Sequence, residues 1–178
     1  MKCKNCKDKF IPRKFNWKYC DKDDCNNIGV KELVSKVRDQ KKKAQRKETK
    51  EAKVKLKTRS DWLKDLQTVF NKFIRERDSK LACISCGKDN DKQYHAGHYR
   101  SVGSCPELRF NELNVWKQCA TCNTYLHGNS ISYRINLVKL IGLDSVDWLE
   151  GNHKPLKLSV EEIKEEIKKY KAKIKSLT

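Results

Sequence analysis

The chain has 178 residues, room for one domain or for one small domain with an appendage. Its 41 Lys and Arg outweigh 23 Asp and Glu, for a formal charge of +18 with 36% of residues charged. A balance this basic suits a polyanion, most often nucleic acid, and no apolar run reaches the ~18 residues that a membrane span needs. The opening M-K-C-K-N-C-K has no apolar signal-peptide core, which points to the cytoplasm.

In a reducing compartment, paired cysteines are metal knuckles more often than disulfides. Eight of the nine cysteines fall into two groups, Cys3, Cys6, Cys20, Cys25 and Cys83, Cys86, Cys119, Cys122. Each group offers four thiolates, the donor set of a structural tetrahedral zinc, so two zinc ions are expected. Cys105 is left over and reads as a small buried residue.

Residues 1–27 carry the first group, with Phe10, Ile11, Phe15, Trp17 and Tyr19 between the knuckles. So short a segment cannot bury enough apolar surface alone, and a metal with aromatic residues packed over it would supply the stability. Lys4, Lys7, Lys9, Arg13, Lys14 and Lys18 make contact with DNA plausible here. Residues 28–59 are a basic stretch with no Gly or Pro after Gly29, rich in helix-forming Lys, Glu, Gln, Arg and Ala. Its charges, among them Lys41, Lys42, Lys43, Arg46 and Lys47, have no apolar stripe through the middle. They read either as a solvated linker or as an arm along phosphates.

From residue 60 the period is helical. Trp62, Leu63, Leu66, Val69, Phe70, Phe73 and Ile74 form one face, with Thr58 or Ser60 as cap and Asp61 in the first turn. Ile131, Ile135, Leu137, Val138 and Ile141 predict a further helix ending near Gly142, and Val146, Trp148 and Leu149 a short one. Ser159 and Glu162 make a capping box before Ile163, Ile167, Tyr170, Ile174 and Leu177. That last seam can pack on its own core or on a second copy of the chain.

Between the second pair of knuckles stand H-A-G-H-Y-R and an asparagine-rich approach to Cys119. Structural zinc has no need of His95 and His98. Phosphodiester hydrolysis needs an activated water, a cation to offset charge, and a held base; histidine is the natural base near neutral pH. An asparagine carbonyl can accept from its other ring nitrogen. A hard divalent cation takes oxygen ligands and keeps several waters, and Asn123, directly after Cys122, would project beside the knuckle.

The order Cys83-x-x-Cys86, histidine, Asn114 five residues before Cys119-x-x-Cys122, then Asn123, resembles the zinc-containing His-Asn-His (ββα-metal) endonucleases. Closer still, H-A-G-H-Y-R-S, L-R-F-N-E-L-N-V-W-K-Q-C-A-T-C-N and H-G-N-x-x-x-Y-R-I resemble the NinG family of lambda-like phages, also called Rap. The N-terminal knuckle and V-D-W-L-E extend the likeness over most of the chain.

The resemblance implies an α+β, mostly helical fold. It would have a ββα-metal, HNH-like core held by zinc within residues 60–178, an N-terminal four-cysteine knuckle over 1–27 and a basic helical arm over 28–59. It implies a magnesium- or manganese-dependent endonuclease of branched recombination intermediates, Holliday junctions and D-loops, acting in the host cytoplasm if phage-encoded. By position His98 would be the general base, Asn114 its orienting partner and Asn123 a ligand of the catalytic cation. His95 and His127 are further candidate ligands, and because Gly97 rather than a ligand precedes His98, the two central histidines can exchange roles. Arg100, Arg109, Lys117 and Arg134 are candidates to clamp phosphates. Symmetric resolution would take two active sites, hence a homodimer. The competing class is a non-catalytic zinc-containing DNA-binding accessory of recombination. A zinc interaction module is a third reading, which the charge argues against.

Overall fold

In the computed structural model, which describes residues 1–12 and 14–177, the chain divides into two units, Met1–Lys57 and Thr58–Thr178. Arg13, one of the basic residues noted above, lies outside the described residues.

The first unit is a knuckle followed by one long helix. Residues Lys2 and Lys9 form a single antiparallel bridge, and Lys7, at φ 66°, turns the chain between them. Its N–H donates to the Cys3 carbonyl at 3.0 Å while the Cys3 N–H donates to Asp8 O at 2.9 Å. Helix α1 spans Asp23–Lys55, 33 residues, about 50 Å at the usual rise. It starts earlier than its basic composition suggests, because Asp23 and Asp24 suit a helical first turn, so Cys25 already sits in the helix.

Only Cys25 and Gly29 of α1 are buried, which fits the missing apolar stripe. Gly29 is where Trp17 and Tyr19 settle on the helix: a Cβ there would come within 2.7 Å of both rings. Phe10, Trp17 and Tyr19 pack on the cysteines as expected. Ile11 and Phe15 do not. Both stand in solvent, because the small cluster offers no further apolar surface to cover them.

The second unit is α+β and mostly helical. Helix α2 (Arg59–Arg77) begins in a reciprocal capping box of Thr58 and Asp61. Helix α5 (Val160–Leu177) begins in the Ser159–Glu162 box. The two helices pack together, burying Leu66, Phe70, Phe73 and Ile74 against Ile163, Ile167 and Tyr170. Each such side chain contributes about 1.5–3 kcal/mol of burial. The C-terminal seam from Ile163 to Ile174 therefore packs within its own chain, and Leu177 stays exposed.

Strands β1 (Tyr94–His98) and β2 (Val115–Cys119) form an antiparallel pair in the register Tyr94↔Cys119 to His98↔Val115. A π-helical turn, Thr121–Tyr125, follows β2 and leads to α3 (Ser130–Ile141) and α4 (Leu143–Glu150). Val115 and Ala96 join the α2–α5 core. Trp116 lies against a second core of Cys105, Leu108, Tyr133, Leu137, Val146 and Leu149. Of the expected face of α3, Leu137 is buried and Val138 and Ile141 pack against the same core, but Ile131 and Ile135 are exposed and Tyr133 takes the inner position. Tyr133 wins the inner position because its hydroxyl finds a buried acceptor, the Gly97 carbonyl at 2.9 Å.

A buried ion pair joins α2 to the hairpin. Asp78, 1% exposed, accepts from Arg77 Nε at 2.6 Å and from the Lys117 backbone N–H at 3.0 Å. Arg77 also donates to the carbonyls of Glu112 and Val115 and lies 4.2 Å over the Trp116 ring.

Candidate functional site

Both cysteine groups close into clusters whose sulfurs all lie within 4.8 Å of one another. A tetrahedral zinc with Zn–S of about 2.3 Å requires sulfurs about 3.8 Å apart. The Cys86–Cys119 pair stands at 3.8 Å and Cys6–Cys20 at 3.6 Å. Both clusters fit the ion.

The local folding repeats as well. Gly87, at φ 70°, turns after Cys86 as Lys7 does after Cys6, and donates to the Cys83 carbonyl at 2.8 Å. Backbone N–H groups point at sulfur: Cys20 at Cys3 Sγ and Cys119 at Cys83 Sγ, both 3.3 Å. An asparagine amide completes each cluster, Asn5 on Cys25 Sγ at 3.3 Å and Asn129 on Cys122 Sγ at 3.6 Å. Such donors favour thiolate. Burial opposes ionisation of Cys3, yet the N–H groups of Cys20, Cys6 and Asn5 outweigh it and bring that thiol down to about 6. Burial pushes the Cys119 thiol up. Four crowded sulfurs cannot all ionise without a cation among them, and zinc would supply that charge.

Gln118 stitches the second cluster together. Fully buried, it donates through Nε2 to Ser85 Oγ at 2.7 Å, inside the first knuckle, and to Gly128 O at 2.6 Å, beyond the second. Asn136 of α3 grips the same knuckle through the carbonyls of Ile84 and Ser85. The Gln118 Oε1 has no hydrogen-bond partner and faces Gly97, where a Cβ would lie 2.2 Å from it.

His98 ends β1, and its Nε2 lies 3.0 Å from the Arg109 carbonyl. A carbonyl only accepts, so Nε2 carries the hydrogen and Nδ1 holds the free lone pair. Among the described residues no hydrogen bond engages that Nδ1. Burial pushes the His98 imidazole below its ordinary value, assisted by the nearby Arg109 charge. The ring is neutral near pH 7.

Asn114 does not touch that ring. Its Oδ1 accepts from the Arg100 N–H at 2.8 Å, and its Nδ2 donates to Arg100 O and Leu108 O at 3.0 and 3.2 Å. Fully buried, it spends its hydrogen-bonding capacity on closing the loop that joins the strands, which in turn places the Arg109 carbonyl. The acceptor role expected of Asn114 belongs to that carbonyl.

His95 meets Asn123, the residue after Cys122 in the π-helical turn, with Nδ1 and Nδ2 2.9 Å apart. Alternation along β1 sends His95 and His98 to opposite faces, so each histidine has its own surroundings. His127, at φ 49°, is exposed in the loop before α3 and joins neither.

The candidate phosphate clamps divide. Lys117 is buried, donating to Ser79 O and Leu81 O and lying 4.3 Å over Tyr94. Arg134 is forked onto Glu150 at 2.7 and 3.1 Å, beside the bond from the Tyr99 hydroxyl to the same carboxylate. Both face inward. Arg109 donates to Gln67 Oε1 at 2.6 Å, and Arg100 Nε lies 3.3 Å from Cys105 Sγ, giving that odd cysteine a neighbour. Lys41, Lys42, Lys43, Arg46 and Lys47 are exposed along α1. Gln118, Asn129 and Gln67 were not singled out from sequence. An inward-parity polar residue next to Cys119 is the signal that marks Gln118.

A mostly helical α+β chain with a two-stranded hairpin and two four-cysteine clusters is thus the class that fold and site define. Its sequence matches, over residues 1–178, the family described as Bacteriophage Lambda NinG protein. It is 40% identical over 187 positions to Protein ninG of Escherichia phage 933W, covering 99% of this chain and 92% of that protein. Over 189 positions it is 40% identical to Protein ninG of Escherichia phage lambda, covering 99% of this chain and 92% of the relative. Protein ninG of Salmonella phage P22 is also 40% identical, over 99% of this chain and 93% of the relative. The chain belongs to the NinG family. No solved structure matches it significantly.

Proposed function

We propose that the chain is a metal-dependent endonuclease of branched DNA. The observation that carries this reading is His98, neutral, with Nε2–H fixed on the Arg109 backbone carbonyl so that Nδ1 keeps its lone pair. A base held in that tautomer can take a proton from water without first losing one of its own. The likeness to His-Asn-His nucleases and the charge of +18 support the substrate class.

His95 and Asn123 are the residues that would hold the catalytic cation. As placed, the Asn123 amide donates to His95 Nδ1. Turned over, its Oδ1 would accept from Nδ1–H, leaving His95 Nε2 with a lone pair. Two neutral protein donors fit an ion that retains waters and takes phosphate oxygens, as magnesium or manganese does. Such an ion offsets charge on the phosphate and leaving oxygen. Cutting two strands of a junction symmetrically would take two copies of the chain.

The opposite faces of His95 and His98 favour the competing reading, a non-catalytic zinc protein that binds branched DNA in recombination. A labelled four-way junction and a matched linear duplex separate the two, each incubated with zinc-loaded wild type or His98→Ala, with magnesium or manganese and without. Cation-dependent cutting of the junction, lost in His98→Ala while binding persists, is the expected result. Binding without cutting by wild type would establish the competing reading.

A further inference from the structure

Beside the second cysteine cluster lies a cavity of about 430 Å³, lined by Lys88, Asp91, Lys92, Thr121, Leu126 and Asn129 among others. A zinc ion would take only the space between the sulfurs. The rest is a recess with two lysines against one carboxylate, Asp91, with amide and hydroxyl groups and an apolar wall at Leu126. Tyr125, which precedes Leu126 in the chain and is not itself part of the lining, is 76% exposed. It closes the π-helical turn that begins with Thr121 and contains Asn123, and such turns recur at functional sites.

An exposed aromatic ring, one residue from a leucine that shares its recess with two lysines, matches one component of DNA. The faces of the bases are its main apolar surface, and stacking covers them throughout a duplex. They become available where strands part. We propose that Tyr125 and Leu126, with Lys88 and Lys92 across the recess, seat an unstacked nucleotide of branched DNA: the ring stacks on the base and the ammonium groups meet the adjacent phosphates. This rests on the DNA reading above and deepens it. It supplies a reason for branched DNA to be preferred, since a linear duplex offers free base faces only at its two ends.

The test is binding by zinc-loaded full-length protein without magnesium or manganese, so that cleavage does not intervene. Wild type, Tyr125→Ala and Tyr125→Phe are titrated against a four-way junction carrying 2-aminopurine at the branch point and against a linear duplex of the same length. Tyr125→Ala is expected to weaken junction binding about 10-fold or more, from the worth of one base–aromatic stack, and to lose the quenching of the 2-aminopurine. Duplex affinity should stay within twofold, and Tyr125→Phe should behave as wild type because the ring remains. An equal loss on both DNAs, or no loss on either, overturns the seat and leaves the DNA reading standing. If wild type binds neither DNA at low salt, both fall.

Discussion

Gly97 is the point where the hairpin is least tolerant, and the structure gives a size to that intolerance. An alanine Cβ at this position would lie 2.2 Å from Gln118 Oε1 and 2.8 Å from Gln118 Cβ, against an ordinary carbon contact of about 3.5–4.0 Å. Gln118 is fully buried and pinned through Nε2 to Ser85 and Gly128, so the clash cannot be relieved by swinging the side chain into solvent. Overpacking of this kind costs about 1–3 kcal/mol, and each hydrogen bond that Gln118 surrenders adds about 1 kcal/mol. Gly97→Ala should therefore destabilise the second unit by roughly 2–5 kcal/mol, or about 8–20 °C in a thermal melt at roughly 4 °C per kcal/mol. Hydrogen exchange of the β1–β2 amides in the zinc-loaded chain reads the loss locally, apart from the first unit. Removing the Oε1 and Cδ part of the obstacle tests the cause: Gln118→Ala, which keeps only the 2.8 Å Cβ contact, should cost clearly less in the Gly97→Ala background than the sum of the single changes. An alanine tolerated to within 0.5 kcal/mol, or strictly additive costs, would refute the clash.

Three other outcomes follow from the geometry. His98 is held below its ordinary 6.5, so its neutral form persists to lower pH; the acid limb of cleavage should fall below 6.5, and Arg109→Gln, which keeps the carbonyl but removes the charge, should move it upward. The same sign makes His98 neutral for stability above 6.5 and destabilising as pH falls through the window beneath, because the unfolded ring protonates first; an acid limb above 6.5 would contradict it. Asp78→Ala, which strands Arg77 and the Lys117 N–H, should cost about 3–5 kcal/mol by urea denaturation, while Lys169→Ala, an exposed helix pair with Glu166, should stay within about 0.5 kcal/mol. Elemental analysis should find two zinc ions per chain, with Cys86→Ser and Cys6→Ser each retaining one; a single ion in wild type would remove one cluster from the account.

How much of this was legible depended on whether the determining group was a side chain. The clusters were written in cysteine spacing, and α2 in the period from Trp62 to Ile74, because ligand identity and burial act through side chains one residue at a time. The acceptor for His98 was not legible. It is a backbone carbonyl, which every residue carries, and what distinguishes the one at Arg109 is a loop closed by Asn114. Ile131 and Ile135 misled for the converse reason: hydropathy ranks them inside, but Tyr133 gains both burial and a hydrogen bond there. Lys117 and Arg134 have the composition of phosphate clamps, and only tertiary contacts reveal that carbonyls and Glu150 already hold them.

The carbonyl that holds His98 has a genetic consequence. A side-chain acceptor can be deleted by one codon change; the oxygen of residue 109 survives nearly every substitution made there. The vulnerable positions are those that set the path of the main chain, Pro106 and Leu108 in the 3-10 turn and Asn114 beneath it. In a random mutagenesis screen, silencing changes should therefore gather around position 109 while sparing the position itself.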